Sequence, residues 1–167
     1  GTNLAQLSSD ALRAITTDAF AKLNQTELLG LTSTQVGKLT TLQVVALTTT
    51  QANVLGSDET SGLTAGQAGS LDGEDLAKLS SDALRAITTT AFTGLSTDAV
   101  QNLSATQASN LTTDQVFALT TDQAKALTTD QTSGLTVSQT PVFRGVDLAQ
   151  LSSDALRAIT TTAFTGL

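Results

Sequence analysis

The sequence predicts an all-α fold: a solenoid, or superhelix, of very short capped helices, one per eight-residue repeat, over residues 1–167 as a single domain. Three observations predict it. An apolar residue returns at every eighth position without a break, a helix-capping signature falls in a fixed place in each repeat, and the charges sort to opposite ends of the repeat.

The apolar ladder starts at Leu7 and steps through Ile15, Leu23 and Leu31 to Phe143, Leu151, Ile159 and Leu167; all 21 positions are Leu, Ile or Phe. Taking that residue as position one of an octad, position two is Ser or Thr in 16 of the 20 complete octads, and Asn24, Gly56 or Asp72 in three more. These are the residues that favour a helix N-cap, and Arg144 is the lone exception. Position five, three residues beyond the cap, is Gln or Glu in 11 octads, as in Thr32…Gln35 and Thr112…Gln115. That spacing is a capping box, in which the cap hydroxyl and the N3 side chain each take the other's backbone N–H. Elsewhere position five is usually Ala, a strong helix former (Ala11, Ala83, Ala155).

With position two as cap, positions one and six are the two ends of a hydrophobic staple. Position six is apolar in 17 octads, with Thr60, Thr132 and Thr140 the exceptions. Ten of the 15 acidic residues stand at position four, in the first helical turn, among them Asp10, Asp82 and Asp114. Seven of the eight basic residues stand at positions seven or eight, among them Arg13, Lys38 and Lys125. Acid at the start and base at the end complements the dipole of a helix about six residues long. A continuous helix fails instead: eight residues advance about 800°, so the Leu stripe would drift about 80° per octad. A coiled coil needs 3.5 or 3.67 spacing rather than four, and no alternation persists long enough for a strand.

A helix this short does not hold alone, so its neighbours must hold it, with positions one and six inward. Position eight is Ala, Gly or Ser in 12 octads, which would let successive units approach closely. The outer wall would carry the Thr, Asp and Gln of positions two to five, with Phe117 at position seven as an exposed apolar residue. A second period overlies the first: "LAQLSSDALRAITT" at 4–17 returns at 148–161, and as "LAKLSSDALRAITT" at 76–89, so that nine octads separate one copy from the next. Duplication accounts for that spacing; the alternative is that nine octads complete a whole number of superhelical turns. Two stretches, 55–75 (Gly-rich) and 137–147 (with Pro141), read as bends or weak octads.

Composition bears on function mostly by exclusion. The chain has no His, Cys, Met, Trp or Tyr, and so lacks the common catalytic base, the thiolate nucleophile and zinc ligands. No nucleophile elbow, Gly-x-Gly-x-x-Gly or P-loop is present, so no catalytic, cofactor or metal residue is assigned, and the chain does not read as an enzyme. "SSD" at 8–10, 80–82 and 152–154 reads as a helix start, and "DGED" at 72–75 offers oxygen atoms without EF-hand spacing. Asn24, Asn102 and Asn110 open glycosylation acceptor triplets, expected by accident in so Thr-rich a chain. A net charge of −7 and a pI near 4.2 have the wrong sign for nucleic acid or an anionic membrane surface. No apolar run approaches the ~20 residues of a membrane span. The Gly1-Thr2 start reads as a segment of something longer.

Strings such as "LTTDQVFALTTDQAKALTTDQ" and "LTSTQVGKLTTLQVVALTTTQ" resemble octapeptide-repeat tracts in very large secreted or surface proteins of Gram-negative bacteria. Those proteins are labelled adhesin-like, haemagglutinin-like or haem-utilisation proteins. The resemblance covers almost the whole chain and implies a repetitive extracellular or cell-surface segment between flanking domains. It transfers no functional residue, and the usual axial ligands of haem are all absent. The expected function is a spacer or display segment. The alternative is a binding module whose outer Thr/Asp/Gln array meets a repetitive ligand, glycan or ice, or makes weak protein contacts.

Overall fold

A computed structural model describes residues 4–159 and 163, and these form 18 α-helices of four to six residues with two 3₁₀ segments, Leu4–Gln6 and Thr140–Val142. No strand occurs among the described residues. Each helix starts where the octad places it. Thr112, for example, is extended (φ −70°, ψ 155°) and its Oγ1 accepts from the N–H of Gln115, the third residue of the helix Thr113–Ala118. The reciprocal half of the box is present too, with the Thr112 N–H donating to Gln115 Oε1 at 3.0 Å. Asn24/Glu27, Thr32/Gln35, Thr40/Gln43, Thr48/Gln51, Thr64/Gln67, Ser104/Gln107, Thr120/Gln123 and Thr128/Gln131 repeat the arrangement. Arg144 makes no side-chain cap bond, as its lack of an acceptor requires.

Capping therefore has a testable weight. Thr112→Ala removes an acceptor and is expected to destabilise the chain by about 0.5–2 kcal/mol, whereas Thr113→Ala, one residue on and exposed, is near neutral. Chemical denaturation of both variants checks it. A larger cost at Thr113 would mean that the register is off by one residue.

The helices do not stack on their immediate neighbours. The packed pairs are three octads apart, such as Ser57–Ser61 on Ser81–Ala86 and Thr129–Ser133 on Ser153–Ala158. The chain thus winds, and each turn takes between three and four octads. Positions one and six fill the interior, from Leu12, Phe20 and Leu28 through Leu84, Phe92 and Val116. Thr60, Thr132 and Thr140, the polar exceptions at position six, are fully buried as well. Thr132 and Thr140 satisfy their hydroxyls on a backbone carbonyl of their own turn, and the Thr60 hydroxyl is shared between the carbonyls of Gly56 (2.9 Å) and Ala83 (2.7 Å).

Two expectations need correction. Small residues at position eight serve the approach of units three octads apart, not of successive ones: a Cβ on Gly94 would lie 2.2 Å from the Ala65 carbonyl oxygen. Position five, moreover, is not on the outer wall. Gln35, Gln43, Gln51, Gln67, Gln107, Gln115, Gln123, Gln131 and Gln139 are all buried. Winding is the physical reason, because position five faces along the axis into the preceding turn. Ala11 and Ala19, in the first turn, are accordingly exposed, while Ala83, Ala91 and Ala155 at the same position are buried. The stretch 55–75 forms ordinary octads, with helices Ser57–Ser61, Ala65–Ala68 and Gly73–Lys78. Around Pro141 the chain turns as 3₁₀, then resumes as the helix Gly145–Leu148.

Candidate functional site: the glutamine ladder and the outer wall

The most ordered polar chemistry in the molecule lies between turns. A glutamine at position five has an amide with two ends. Its oxygen is used by the capping box, and the structure shows that its nitrogen crosses to the turn before. Gln115 Nε2 donates to the carbonyls of Leu84 (2.8 Å) and Ile87 (2.9 Å), residues 31 and 28 earlier in the chain. Gln35 does the same to Leu4 and Leu7, Gln67 to Val36 and Leu39, and Gln131 to Val100 and Leu103. All nine position-five glutamines make this pair of bonds, over a narrow range of 2.7–3.2 Å. The acceptors are the carbonyls at positions six and one, at the frayed end of a short helix where intrahelical partners run out. One side chain thus closes the start of its own helix and the end of another.

The other residues at position five show what the rung requires. Asp147 is a carboxylate with nothing to donate, and here Arg144, the odd residue at the cap position, supplies the donors. Its guanidinium pairs with Asp147 and reaches the Leu119 carbonyl at 2.7 Å. Leu119 stands to Asp147 as Ile87 stands to Gln115, so the arginine serves the same acceptor that a glutamine would. Glu59 is buried and uses its carboxylate only on the Gly56 N–H. Asp75 is 4% exposed, and among the described residues no ion pair reaches it. Burial, then the charges of Asp72 and Glu74, raise its pKa to about 6 from 3.8.

Because the folded-state value is raised, the folded chain binds this proton more readily than the unfolded chain. The ionised group therefore costs stability as pH rises from about 4 to above 6, and costs nothing below the unfolded value. Asp75→Asn is expected to be more stable than the parent by about 1–3 kcal/mol at pH 7.5, with the difference fading by pH 4. Paired urea melts across that range measure it, and a pH-independent difference would contradict it.

On the outer wall stand the threonines and acids of positions two to four, together with Phe117, which is 58% exposed. Two open grooves lie between helices three octads apart. One, of about 460 Å³, is lined by Thr97, Gln101, Asp122 and Lys125; the other, of about 270 Å³, by Thr49, Thr50, Asn53 and Lys78. They offer hydroxyls, amides and single charges, suited to hydrogen bonding. Neither brings together the nucleophile, base and orienting group that covalent catalysis uses. Asp72 in the acidic "DGED" segment is a helix cap, its carboxylate accepting from the Asp75 N–H at 2.7 Å, and no metal-holding group of His, Cys, Asp or Glu occurs among the described residues. Asn24 caps its helix, and Asn102 and Asn110 each donate to a carbonyl of their own helix. No described helix is long and apolar enough to cross a membrane.

The chain matches no protein-family model, and no curated protein matches it. Its own chemistry is therefore what bears on function. The sequence signal for the ladder was present in the Gln of "TTDQ", but the capping box accounted for that Gln completely. A second partner 28–31 residues away has no local signature.

Proposed function

We propose that this chain is a structural spacer or display segment of a large bacterial surface or secreted protein, without catalysis. The observation that carries the reading is the ladder. The recurring polar residues of the octad are used by the fold itself: threonine and serine as caps, glutamine as cap partner and inter-turn rung. The bonds repeat at one constant offset, so octads can be added or removed in register without destroying any unique site. Such a module sets a distance between flanking domains. The likeness of its Leu-Thr-x-x-Gln strings to tracts of adhesin-like and haemagglutinin-like proteins agrees with that role and with an extracellular setting.

A test follows from the nine-octad period. Deleting residues 79–150 joins Lys78 to Leu151, keeps the octad register, and seats Ala155 where Ala83 had been. The shortened chain is expected to remain folded and helical, and to lose length in small-angle scattering in proportion. Loss of a saturable, stoichiometric binding activity present in the parent would sink the spacer reading.

The two grooves favour a second reading, a weak binding module for a repetitive ligand such as a glycan. Its contact array is threonine and aspartate with lysine at the groove edge; the ladder glutamines are withdrawn from it by burial. An ice-binding threonine array has less behind it, since the cap hydroxyls are engaged with backbone. A glycan panel and an ice-growth assay on the parent chain decide between these readings.

A further inference from the structure

The ladder is not continuous: apart from a single missing rung at Glu59, its gaps are spaced. Between Gln67 and Gln107 the residues at position five are Asp75, Ala83, Ala91 and Ala99. None has an amide to give, so the carbonyl pairs Val44/Leu47, Ala52/Leu55, Thr60/Leu63 and Ala68/Leu71 receive no rung. Four octads are at least one full turn. Among the described residues, the one hydrogen bond crossing this seam is Thr60 Oγ1 to the Ala83 carbonyl, 2.7 Å. Elsewhere each rung contributes two or three: Gln107, Gln115, Gln123 and Gln131 tie the next turn down in unbroken succession. The residues of the gap then return. Ala155 and Ala163 stand nine octads after Ala83 and Ala91, and Ala11 and Ala19 nine octads before them, whereas Asp147, nine octads after Asp75, has its rung restored by Arg144 on the Leu119 carbonyl. The "LSSDALRAI" block thus carries the gap at 79–87 and again at 151–159.

We infer that this block is a built-in joint: the superhelix opens first along the ladder-free seam between residues 44–71 and 75–99, and the nine-octad period divides the rod into ladder-tied segments separated by such joints. The seam is held by apolar contact and close backbone approach, with Leu84 and Phe92 fully buried beside it. Apolar contact is non-directional and permits sliding, whereas a rung that spans two turns holds both in register. A rod so divided yields at set places under load and keeps its segments folded. Such joints belong to the stacking alone and do not depend on the spacer reading.

Hydrogen exchange with mass spectrometry on the whole chain tests it. The helix Ser57–Ser61 lies in the seam with no glutamine rung on either side; Ala105–Asn110 has its own Gln107 below and Gln139 above. Exchange in Ser57–Ser61 is expected to be at least ~10-fold faster than in Ala105–Asn110. Filling the gap with Ala83→Gln, Ala91→Gln and Ala99→Gln together should slow the seam to the level of the ladder. If the added bulk prevents folding, the converse variant decides: Gln115→Ala, Gln123→Ala and Gln131→Ala together should create a second fast-exchanging seam at residues 84–103. Equal protection of the two helices in the parent, or an unchanged exchange pattern in the converse variant, overturns the inference.

Discussion

Gln115→Glu is expected to destabilise the chain by about 3–5 kcal/mol at neutral pH, and to cost more than Gln115→Ala. The substitution keeps size and shape and keeps the acceptor that the Thr112 N–H uses at 3.0 Å. What it changes is the other end of the amide. Gln115 is 1% exposed, and its Nε2 sits 2.8 and 2.9 Å from two carbonyl oxygens. Glutamate would put a second charged oxygen there. Two hydrogen bonds are lost, at about 1 kcal/mol each, and a carboxylate is left buried against acceptors, which adds several kcal/mol unless it takes up a proton. Gln115→Ala loses the same bonds and leaves a cavity, but introduces no charge. The chain already tolerates that state at Ala83 and Ala91, which argues for a smaller cost of about 2–3 kcal/mol. Denaturant melts of the two variants at pH 7.5 give the ordering. An alanine variant less stable than the glutamate variant would mean that the amide nitrogen is not a donor in solution.

The sequence carried the local half of this structure in full. Every element of the octad that acts within one helix could be read from residue types: the cap at Thr112, the box partner at Gln115, the staple at Leu111 and Val116, the acid at Asp114. Such interactions lie within a single octad, and their spacing is their signature. How one octad meets another was not legible, because winding depends on the small angle between successive helices, and no residue encodes that angle alone. Gln115 looked satisfied by its cap, so a second role left no unexplained residue to notice. The absence of Gln at Ala83, Ala91 and Ala99 was visible as a run of three, yet it acquires meaning only once Gln is known to cross turns. Arg144 and Asp147 are the instructive pair. Apart they are an octad that breaks the cap rule and the box rule together; side by side they restore a rung by another chemistry.

Glycine shows the same division between local and distant causes. None of the described glycines has a positive φ, so none is present to permit a left-handed turn. Gly94 is required by what faces it. A Cβ built there would lie 2.2 Å from the carbonyl oxygen of Ala65 and 2.8 Å from its Cα, in the turn below, and both are backbone atoms that cannot rotate away. Gly62 meets Ser33 in the same manner, at 2.0 Å from its carbonyl oxygen. Gly94 follows the C-cap Thr93 of the helix Thr89–Phe92 without a positive φ, so on local grounds Gly94→Ala would stabilise by about 0.4–1 kcal/mol through the unfolded chain. The contact predicts the reverse: the two turns must separate by roughly 1 Å, and apolar contact around Phe92 and Leu95 loosens with them. Overpacking of this kind costs typically about 1–3 kcal/mol, and rigid backbone on the far side places Gly94→Ala near or above the top of that range, about 3 kcal/mol. Gly66→Ala is the matched control, since a Cβ there meets nothing within 4 Å. It is expected to be neutral or slightly stabilising. Thermal melts of the two variants separate the two causes: a stable Gly94→Ala would show that the turns do not approach as closely as the winding described above requires.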